Sequence, residues 1–527
     1  HMTIKGYKFY YRQVTDPESE WIRATDGVVT NPDYVYTNLL SGTEYELAGM
    51  AVDMAGNESP IGTPLVVTTD VHDPSDDPLN DTDAAAIDTI MTTYKAPAFG
   101  AWVSLVTPKG KYAKAYGKNY TGGTNPVAGA DLTLDDKFRY GSNTKMYTAV
   151  LIWRHIDAGN LTLDDTLDEW MPELFNSHKI TIRHLLQQRT GLPEAFGYGS
   201  PIGMQNGINF FLHPTAVCDV IAMVRGACTY SNFEPGTSYE YANTNYIVLG
   251  YILERLDEEL ATSDEPARPI YMILRDFLAE IGCAETEWPT PNSNTGYYMT
   301  PPFSRGYMDN PAWATMVATV NSLPLAFLLG WLYWMLVPSL SGGWPATPYM
   351  EMTAGNTEFG GAAGCLGGTA ADLVKFGEYL ASGAGLSAET QMLRDEVYTT
   401  YATFTPAAAY QGNGWMGAGL GIMSWGDWRG WIGAWLGYNS CLWFNVKNQA
   451  VIVTAVNWYT GPSWDLFMRV AYQLYPDSLA RPDWTMRQLD AGVVSEATFG
   501  GGRIYNYHAP GDENGTVELP HTVPFYL

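Results

Sequence analysis

The chain has 527 residues, which is too long for a single ordinary hydrophobic core, so we expect two or more domains. Its hydrophobic content of 46%, with 53 Gly and 32 Pro, is typical of a globular, loop-rich protein and excludes a largely disordered chain. A net charge of −27 argues against a surface for nucleic acids or anionic membranes, because no cluster of basic residues is available to contact phosphates.

The first predicted elements are the strands of a small N-terminal module, residues 1–70. Apolar and polar residues alternate along stretches such as GYKFYYRQV and EYELAGMAVD, and turn-forming residues separate these stretches. Trp21, the turn from Leu40 to Tyr45 and the segment from Ala51 to Asn57 resemble the later strands of a fibronectin type III module. The first two strands have no counterpart, so the resemblance implies a partial β-sandwich that belongs to a longer polypeptide.

Three further regions follow the N-terminal module. Residues 71–86 are acidic and rich in Pro and Asp, and are predicted to be a linker. We expect a large catalytic domain over 87–484. The chain then becomes rich in Gly and Tyr, and 485–527 is predicted to be a short C-terminal β appendage.

Within the catalytic domain, residues 311–350 are predicted to be an apolar insertion. Its segment 314–340 reads ATMVATVNSLPLAFLLGWLYWMLVPSL and is long enough for a membrane span. Pro324, Pro338 and nearby polar residues favour instead a buried or half-buried pair of helices that caps the site. Contact of this cap with a membrane or a lipid-like substrate is a further hypothesis.

The five cysteines show no Cys-x-x-Cys pair and no His/Cys cluster with zinc spacing, so we predict neither a metal site nor a cofactor. A disulfide between Cys218 and Cys228 is one alternative, but buried free thiols are the favoured interpretation. His184 lies in the apolar segment TIRHLL, where a structural role is favoured over catalysis.

The stretch GSNTK opens an apolar, helix-like segment and places Ser142 and Lys145 three residues apart. On a helix these positions share one face, so the lysine amine can lie beside the serine hydroxyl. A serine is a poor nucleophile until a base accepts its proton, which a lysine can do when its pKa is lowered by burial. The alternative is an ordinary helix start, with Ser142 as the N-cap residue and Lys145 solvated in the first turn.

Further motifs follow in order. The triplet Tyr-Ala-Asn at 241–243 follows a Pro-Gly-Thr turn at 235–237, and residues 367–380 read GGTAADLVKFGEYL. With the Ser-x-x-Lys motif, this order resembles the serine β-lactamase and penicillin-binding-protein superfamily, in the branch of class C β-lactamases, DD-peptidases and family VIII esterases. The resemblance implies an α+β domain (an α/β sandwich), with a central antiparallel sheet flanked by helices and an all-helical subdomain.

The resemblance and the chemistry of the side chains imply the same roles. Ser142 attacks an acyl carbon to form an acyl-enzyme, and Lys145 accepts or relays its proton. The Tyr241 phenol passes a proton to the leaving group, and Asn243 hydrogen-bonds Lys145 and the acyl side of the substrate. Tyr239 is an alternative to Tyr241, but the spacing to the Pro-Gly turn and to the asparagine favours Tyr241.

The third motif departs from the family pattern. The aligned triplet is Trp431-Ile432-Gly433, where the family's peptidases and lactamases have Lys or His to help bind a substrate carboxylate. A tryptophan cannot do this, although some esterases of the branch also have Trp-x-Gly. Arg429 could supply the lost charge, but an exposed turn arginine is the favoured interpretation.

The same strand is predicted to provide the rest of the acyl-binding site. Gly433 lets the substrate approach the strand edge. The backbone N–H groups of Ser142 and Ala434 are expected to form the oxyanion hole.

These residues predict a serine hydrolase that forms an acyl-enzyme on Ser142, most simply a carboxylesterase or amidase acting on cell-envelope or small acyl substrates. The alternatives are a D-alanyl-D-alanine carboxypeptidase or transpeptidase, a β-lactamase, and a phage-tail or virion envelope-binding protein that reuses the fold. We expect no nucleic-acid partner, membership of a larger polypeptide or assembly, and an extracellular or virion-associated location.

Overall fold

The computed structural model describes most of the chain between Ile4 and Tyr507. The described residues are 4–14, 21–24, 28–30, 43–68, 77–95, 99–121, 127–195, 219–263, 266–289, 299–309, 349–351, 353, 358–395, 399–400, 416–435, 437–459, 461–478, 494–499 and 502–507.

The N-terminal strands form one antiparallel sheet in the order β2-β1-β3-β4. Its strands are β1 (Ile4–Gln13), β2 (Ile22–Arg23), β3 (Glu44–Asp53) and β4 (Leu65–Thr68). Tyr11 and Tyr45 are buried on one face of this sheet, and their rings meet edge to face with centroids 5.8 Å apart. Burial on one face is what the alternation of apolar and polar residues in the sequence predicts. The strands of the N-terminal module are therefore present, while its kinship to fibronectin type III modules stays a prediction.

The remaining elements are named here in chain order. The first group comprises α1 (Asp81–Tyr94), β5 (Ala101–Thr107), β6 (Gly110–Tyr116), β7 (Lys118–Thr121), β8 (Val127–Asp131), β9 (Phe138–Arg139), α2 (Thr144–Asp157), α3 (Ile182–Leu186), α4 (Val220–Ala227), α5 (Asn243–Leu260) and α6 (Ile270–Glu280). The second group comprises β10 (Tyr307–Asp309), β11 (Tyr349–Glu351), α7 (Gly361–Gly364), β12 (Gly367–Gly368), α8 (Ala370–Ser382), α9 (Ala388–Asp395), β13 (Thr399–Thr400), β14 (Met416–Ala418), β15 (Met423–Trp425), β16 (Trp428–Trp435), β17 (Tyr438–Asn445), β18 (Val451–Val456), α10 (Ser463–Leu474), β19 (Val494–Phe499) and β20 (Gly502–Tyr507). Short 3-10 helices lie at Gly141–Asn143, Leu167–Glu169, Ser177–Lys179, Glu358–Gly360 and Pro476–Ser478.

Eight strands form the central antiparallel sheet, in the order β13-β14-β15-β16-β17-β18-β5-β6. Every residue of β5 and β18 is buried, because helices cover both faces of the sheet. Leu442 faces α8, where a Cβ built on Gly377 would lie 2.7 Å from its Cδ1. Its neighbour Trp443 stacks on Phe467 of α10 at 5.5 Å, and adjacent strand residues point to opposite faces, so α8 and α10 cover opposite faces.

The helical part packs beside this sheet. Helix α2 contacts α5 and α7, and α5 also contacts α3, α4 and α6. Four two-stranded sheets complete the described fold, pairing β7 with β8, β9 with β12, β10 with β11 and β19 with β20. The predicted central antiparallel sheet with flanking helices is confirmed. The β19–β20 hairpin lies within the predicted C-terminal appendage.

Most of the predicted apolar insertion lies outside the described residues, which omit 310–348 and with them the segment 314–340. Its proposed membrane or lipid contact therefore stays a hypothesis. Among the residues that the structure describes, no helix is long and apolar enough to cross a membrane.

The described cysteines are buried free thiols: Cys228, Cys283, Cys365 and Cys441. Cys228 is thus a free thiol in the described part of the chain, and the favoured interpretation of buried free thiols holds for these four. Cys218 itself lies outside the described residues. Burial raises the pKa of the Cys228 and Cys441 thiols to about 12, which keeps both side chains neutral at physiological pH.

Candidate active site

Ser142 lies in the 3-10 turn Gly141–Asn143, which leads directly into α2. The turn rests on β16 and β17: the Asn143 amide donates to Ser440 Oγ at 2.8 Å, and Ser440 Oγ donates to Tyr140 O at 2.9 Å. Ser142 is 8% exposed. These hydrogen bonds therefore hold the turn against the sheet.

Gly141 fixes the distance between this turn and the strand. Its φ is +55°, and an added Cβ would lie 2.6 Å from Ala434 O and 2.8 Å from Ala434 N. Both the left-handed backbone and the close approach to Ala434 require glycine.

We expect Gly141→Ala to destabilise the fold and to reduce activity, because the turn must move away from Ala434. The matched control is Gly159→Ala at the other end of α2, where φ is +73° and no atom lies within 4 Å of an added Cβ. Gly159→Ala should lower the free energy of unfolding only by the cost of placing alanine in a left-handed backbone conformation, about 1–2 kcal/mol. The free energy of unfolding of both variants is measured with denaturant. If Gly141→Ala lowers it no more than Gly159→Ala does, the close approach to Ala434 does not require a glycine at 141.

Lys145 is fully buried on the first turn of α2. Its Nζ donates to Ser142 Oγ at 3.0 Å, to Asn243 Oδ1 at 2.6 Å and to the backbone oxygen of Ala363 at 2.8 Å. Burial holds the pKa of Lys145 well below its usual value of 10.5, and the charge of Glu194 opposes part of this effect. The alternative of a solvated first-turn lysine is therefore wrong.

Tyr241 closes the other side of the serine. Its hydroxyl is 2.7 Å from Ser142 Oγ, and its ring centroid is 5.0 Å from Lys145 Nζ. The residue is 9% exposed. It lies immediately before Ala242, the N-cap residue of α5. Tyr241, rather than Tyr239, therefore provides the hydroxyl that contacts the serine.

Asn243 links the lysine to a carboxylate that the sequence analysis missed. The Asn243 Oδ1 accepts from Lys145, while its Nδ2 and its backbone N donate to Glu194 Oε2 at 3.1 and 2.7 Å. Glu194 stands 49 residues earlier, and no short motif joins it to Asn243 in the sequence. Only the folded arrangement of α5 against the segment after α3 brings them together.

Trp431, the first residue of the predicted third motif, lies beside Tyr241. It is 3% exposed, and its ring centroid is 6.3 Å from that of Tyr241 and 5.8 Å from that of Tyr246. The pairing of β16 with β15 ends at Gly430, so Trp431 begins the part of β16 that extends beyond β15. This part of the strand includes Gly433, whose added Cβ would collide with Tyr140 O.

Arg429 takes neither of the roles considered for it. It is half-buried, and its guanidinium donates to the backbone oxygens of Asp395 at 2.7 Å and of Gly426 and Trp428 at 3.0 Å. An exposed turn arginine is therefore the wrong interpretation. Because its donors bind backbone oxygens next to β16, it also does not replace the missing Lys or His of the third motif.

The structure thus brings Ser142, Lys145, Tyr241 and Asn243 into one hydrogen-bonded group, with Trp431 in ring contact with Tyr241. Their catalytic roles, and the oxyanion hole from Ser142 and Ala434, stay predictions. His184 has a structural role, since it forms a capping box with Thr181 at the start of α3. Among the described residues, no group of His, Cys, Asp and Glu side chains could hold a metal ion.

Comparison with known proteins places this site in a family context. A family model described as Beta-lactamase matches residues 84–471, which is more than half of the chain. Penicillin-binding protein 4* of Bacillus subtilis is 32% identical over 125 residues, which are 24% of this chain and 26% of that protein. The chain spans between about a quarter and two fifths of the length of the curated relatives it matches.

Solved structures share the fold. A D-stereospecific amidohydrolase from Streptomyces has a TM-score of 0.56 at 18% identity, over 75% of this chain and 99% of that one. The D-amino acid amidase of Ochrobactrum anthropi SV3, in complex with D-phenylalanine, has the same TM-score, identity and coverage. At this level of identity the likeness concerns the fold alone.

Proposed function

Because the chain belongs to the beta-lactamase family, in the serine β-lactamase and penicillin-binding-protein superfamily, we propose that it is a serine hydrolase that forms an acyl-enzyme on Ser142. The position of Ser142 Oγ carries the proposal: it is 3.0 Å from Lys145 Nζ and 2.7 Å from Tyr241 OH. A serine hydroxyl within hydrogen-bond reach of two groups that can exchange its proton is the arrangement that nucleophilic catalysis needs.

The first half-reaction acylates the serine. Ser142 Oγ forms a bond to the acyl carbon, and its proton moves to the neutral amine of Lys145, which burial favours. The bond from the acyl carbon to the leaving alcohol or amine then breaks. The proton passes from Lys145 through the Tyr241 hydroxyl to the leaving atom, so the amine is neutral again when the leaving group departs.

The second half-reaction uses the same groups with water. Water attacks the acyl carbon of the ester on Ser142, and its proton passes through Tyr241 to Lys145. The serine oxygen leaves and recovers this proton, releasing the carboxylic acid. In both half-reactions the backbone N–H groups of Ser142 and Ala434 are proposed to bind the oxyanion, each donor contributing about 3 kcal/mol.

For the substrate, we propose an ester or small amide without a free carboxylate near the scissile bond. Trp431 replaces the cationic residue of the third motif, and an indole has one N–H donor and no charge. Arg429 is bound to three backbone oxygens instead. Glu194, behind Asn243, adds a negative charge that disfavours a substrate carboxylate.

A pure envelope-binding role is a weaker candidate. A fold that only binds has no need to keep a buried lysine in hydrogen-bond contact with a serine and an asparagine, because burying an amine costs stability. Action on cell-envelope substrates, and an extracellular or virion-associated location within a larger assembly, are part of the proposal and await their own tests.

A panel of substrates tests the proposed class directly. We expect turnover of short-chain p-nitrophenyl esters, with little hydrolysis of D-Ala-D-Ala peptides or of nitrocefin, because both carry a carboxylate. Preferred turnover of the peptide, or a stable adduct with a penicillin, would replace the proposal by a DD-peptidase. Preferred turnover of nitrocefin would replace it by a β-lactamase.

Trp431→His tests the residue to which this preference is assigned. A protonated histidine there can pair with a carboxylate, so the ratio of D-Ala-D-Ala peptide to ester hydrolysis should rise by about 10-fold or more. Trp431→Phe is the matched control, because it keeps a ring beside Tyr241 and adds no charge. If the ratio is the same in both variants, Trp431 is not the residue that disfavours carboxylates.

A further inference from the structure

Helix α5 begins at the predicted catalytic motif without a side-chain cap of its own. Its N-cap residue is Ala242, which has no side-chain acceptor, and the first N–H groups of a helix need partners. These partners come from another segment, 188–194, which follows α3. Two side chains of this segment, Gln188 and Glu194, receive the backbone N–H groups of Ala242 and Asn243.

Gln188 is the first of the two. It is 1% exposed, and its backbone has a φ of +60°, a left-handed conformation that non-glycine residues rarely adopt. Its Oε1 accepts from Ala242 N at 3.0 Å and from the Asn245 amide, while its backbone oxygen accepts from Glu240 N at 3.1 Å. Gln188 therefore holds the backbone on both sides of Tyr241.

Glu194 is the second, and it reaches the side chain of Asn243 as well as its backbone. One carboxylate oxygen, Oε2, accepts from Asn243 N at 2.7 Å and from Asn243 Nδ2 at 3.1 Å. An amide whose Nδ2 is held by a carboxylate must present its Oδ1 on the opposite side. That Oδ1 lies 2.6 Å from Lys145 Nζ, so the orientation of the amide and the position of the lysine are coupled.

We propose that Glu194 is a positioning residue of this active site: through Asn243 it holds Lys145 Nζ in place beside Ser142 Oγ. The inference rests on the proposed function, since it assigns Glu194 a part in the reactivity of Ser142. Glu194 acts on the serine through two intermediates, Asn243 and Lys145, each joined to the next by a hydrogen bond of 3.1 Å or less.

The charge of Glu194 has a separate effect on Lys145. Burial lowers the pKa of Lys145, and the Glu194 carboxylate raises it. Within the described part of the chain, the amine also faces the rings of Tyr241 and Tyr246 and the backbone oxygen of Ala363. Removing the charge of Glu194 must therefore lower the pKa of Lys145 further. If the reaction needs the neutral amine, the acidic limb of the pH profile then moves to lower pH.

A purely structural role is the competing explanation. A carboxylate at a helix N-terminus stabilises the helix, and Glu194 would then matter for folding alone. The two explanations differ in one observable. A structural cap changes the free energy of unfolding but not the labelling rate of a variant that still folds. Loss of a positioning residue slows the labelling of Ser142 in a folded variant, and a substitution that keeps the hydrogen bonds to Asn243 restores it.

The test compares Glu194→Gln and Glu194→Ala with the matched control Glu240→Gln. Glu240 precedes Tyr241 directly, but its carboxylate accepts from the amide of exposed Asn232 at 2.8 Å, whereas the backbone N and Nδ2 of Asn243 donate to Glu194. The measurement is the rate at which a fluorophosphonate labels the 527-residue chain, recorded against pH by intact-mass spectrometry. Circular dichroism of each variant monitors the fold.

Glutamine can keep both hydrogen bonds to Asn243 while removing the charge. Glu194→Gln should therefore label within about 3-fold of the wild type at high pH, with its acidic limb displaced to lower pH by roughly half a pH unit or more. Glu194→Ala leaves the Asn243 amide unheld and should label about 10- to 100-fold more slowly at every pH. Glu240→Gln should match the wild type.

The outcomes separate this inference from the proposed function. If the wild type is not labelled, the proposed function fails. If the wild type is labelled and a folded Glu194→Ala labels as fast as the wild type, Glu194 is not a positioning residue. If Glu194→Ala does not fold, an unchanged pH profile in Glu194→Gln shows that Glu194 is not coupled to Lys145 and overturns the inference. An equal displacement in Glu240→Gln would also overturn the inference, because the effect would then be one of net charge.

Discussion

Ser142→Ala is expected to lower hydrolysis of a short-chain p-nitrophenyl ester by at least about 10³-fold, because it removes the atom that forms the acyl-enzyme. The fold should persist, since the Ser142 hydroxyl bonds only side chains of the site, at Lys145 and Tyr241, among the described contacts. The measurement is kcat/KM for the ester, with circular dichroism to verify folding.

A second serine variant serves as the control for this prediction. Ser177 is also buried, and its Oγ donates to the backbone oxygen of Pro172 at 3.2 Å, away from the catalytic group. Ser177→Ala should retain turnover close to that of the wild type. Unchanged turnover in a folded Ser142→Ala variant would refute the assignment of the nucleophile.

Lys145→Met is expected to reduce kcat/KM by a similar factor, about 10³-fold or more, because methionine has the length of the lysine stem but accepts no proton. The nucleophile would still be present, so the loss would measure its activation. The matched control is Lys95→Met. Lys95 is a half-buried lysine whose pKa is also lowered by burial, and its Nζ donates to the backbone oxygen of Phe99 instead.

The same variant reports on the protonation of Lys145 through stability. The pKa of Lys145 in the fold lies well below its usual value of 10.5, so the unfolded chain binds a proton that the folded chain does not. Between those two pKa values, the free energy of unfolding of the wild type must fall as the pH falls. Lys145→Met should lose this dependence, and an identical pH dependence of stability would show that the lysine is charged in the fold.

The parts of the site that sequence analysis predicted are those encoded in short motifs. Ser142 and Lys145 are one helical turn apart, so local geometry alone places them side by side. Tyr241 and Asn243 were found because the order of motifs resembles a known superfamily. The structure adds the distances that join the two motifs.

The parts that were missed depend on tertiary contacts. Glu194 and Gln188 meet the Tyr-Ala-Asn motif across the packing of α5 against the segment after α3, and nothing in their local sequence distinguishes them from surface polar residues. Arg429 was misinterpreted for a related reason. Its flanking glycines indicate a turn, but it lies in β16, where backbone oxygens of neighbouring segments surround its guanidinium.

The central claim, an acyl-enzyme on Ser142, is tested most directly by acid-quenching the wild type during p-nitrophenyl ester turnover and mapping its peptides by mass spectrometry. We predict one acyl group, on the peptide that contains Ser142, and no acyl group in Ser142→Ala. An acyl group on a different residue, or steady turnover in which the wild type never carries one on Ser142 even when deacylation is slowed by a poor acyl group, would contradict it.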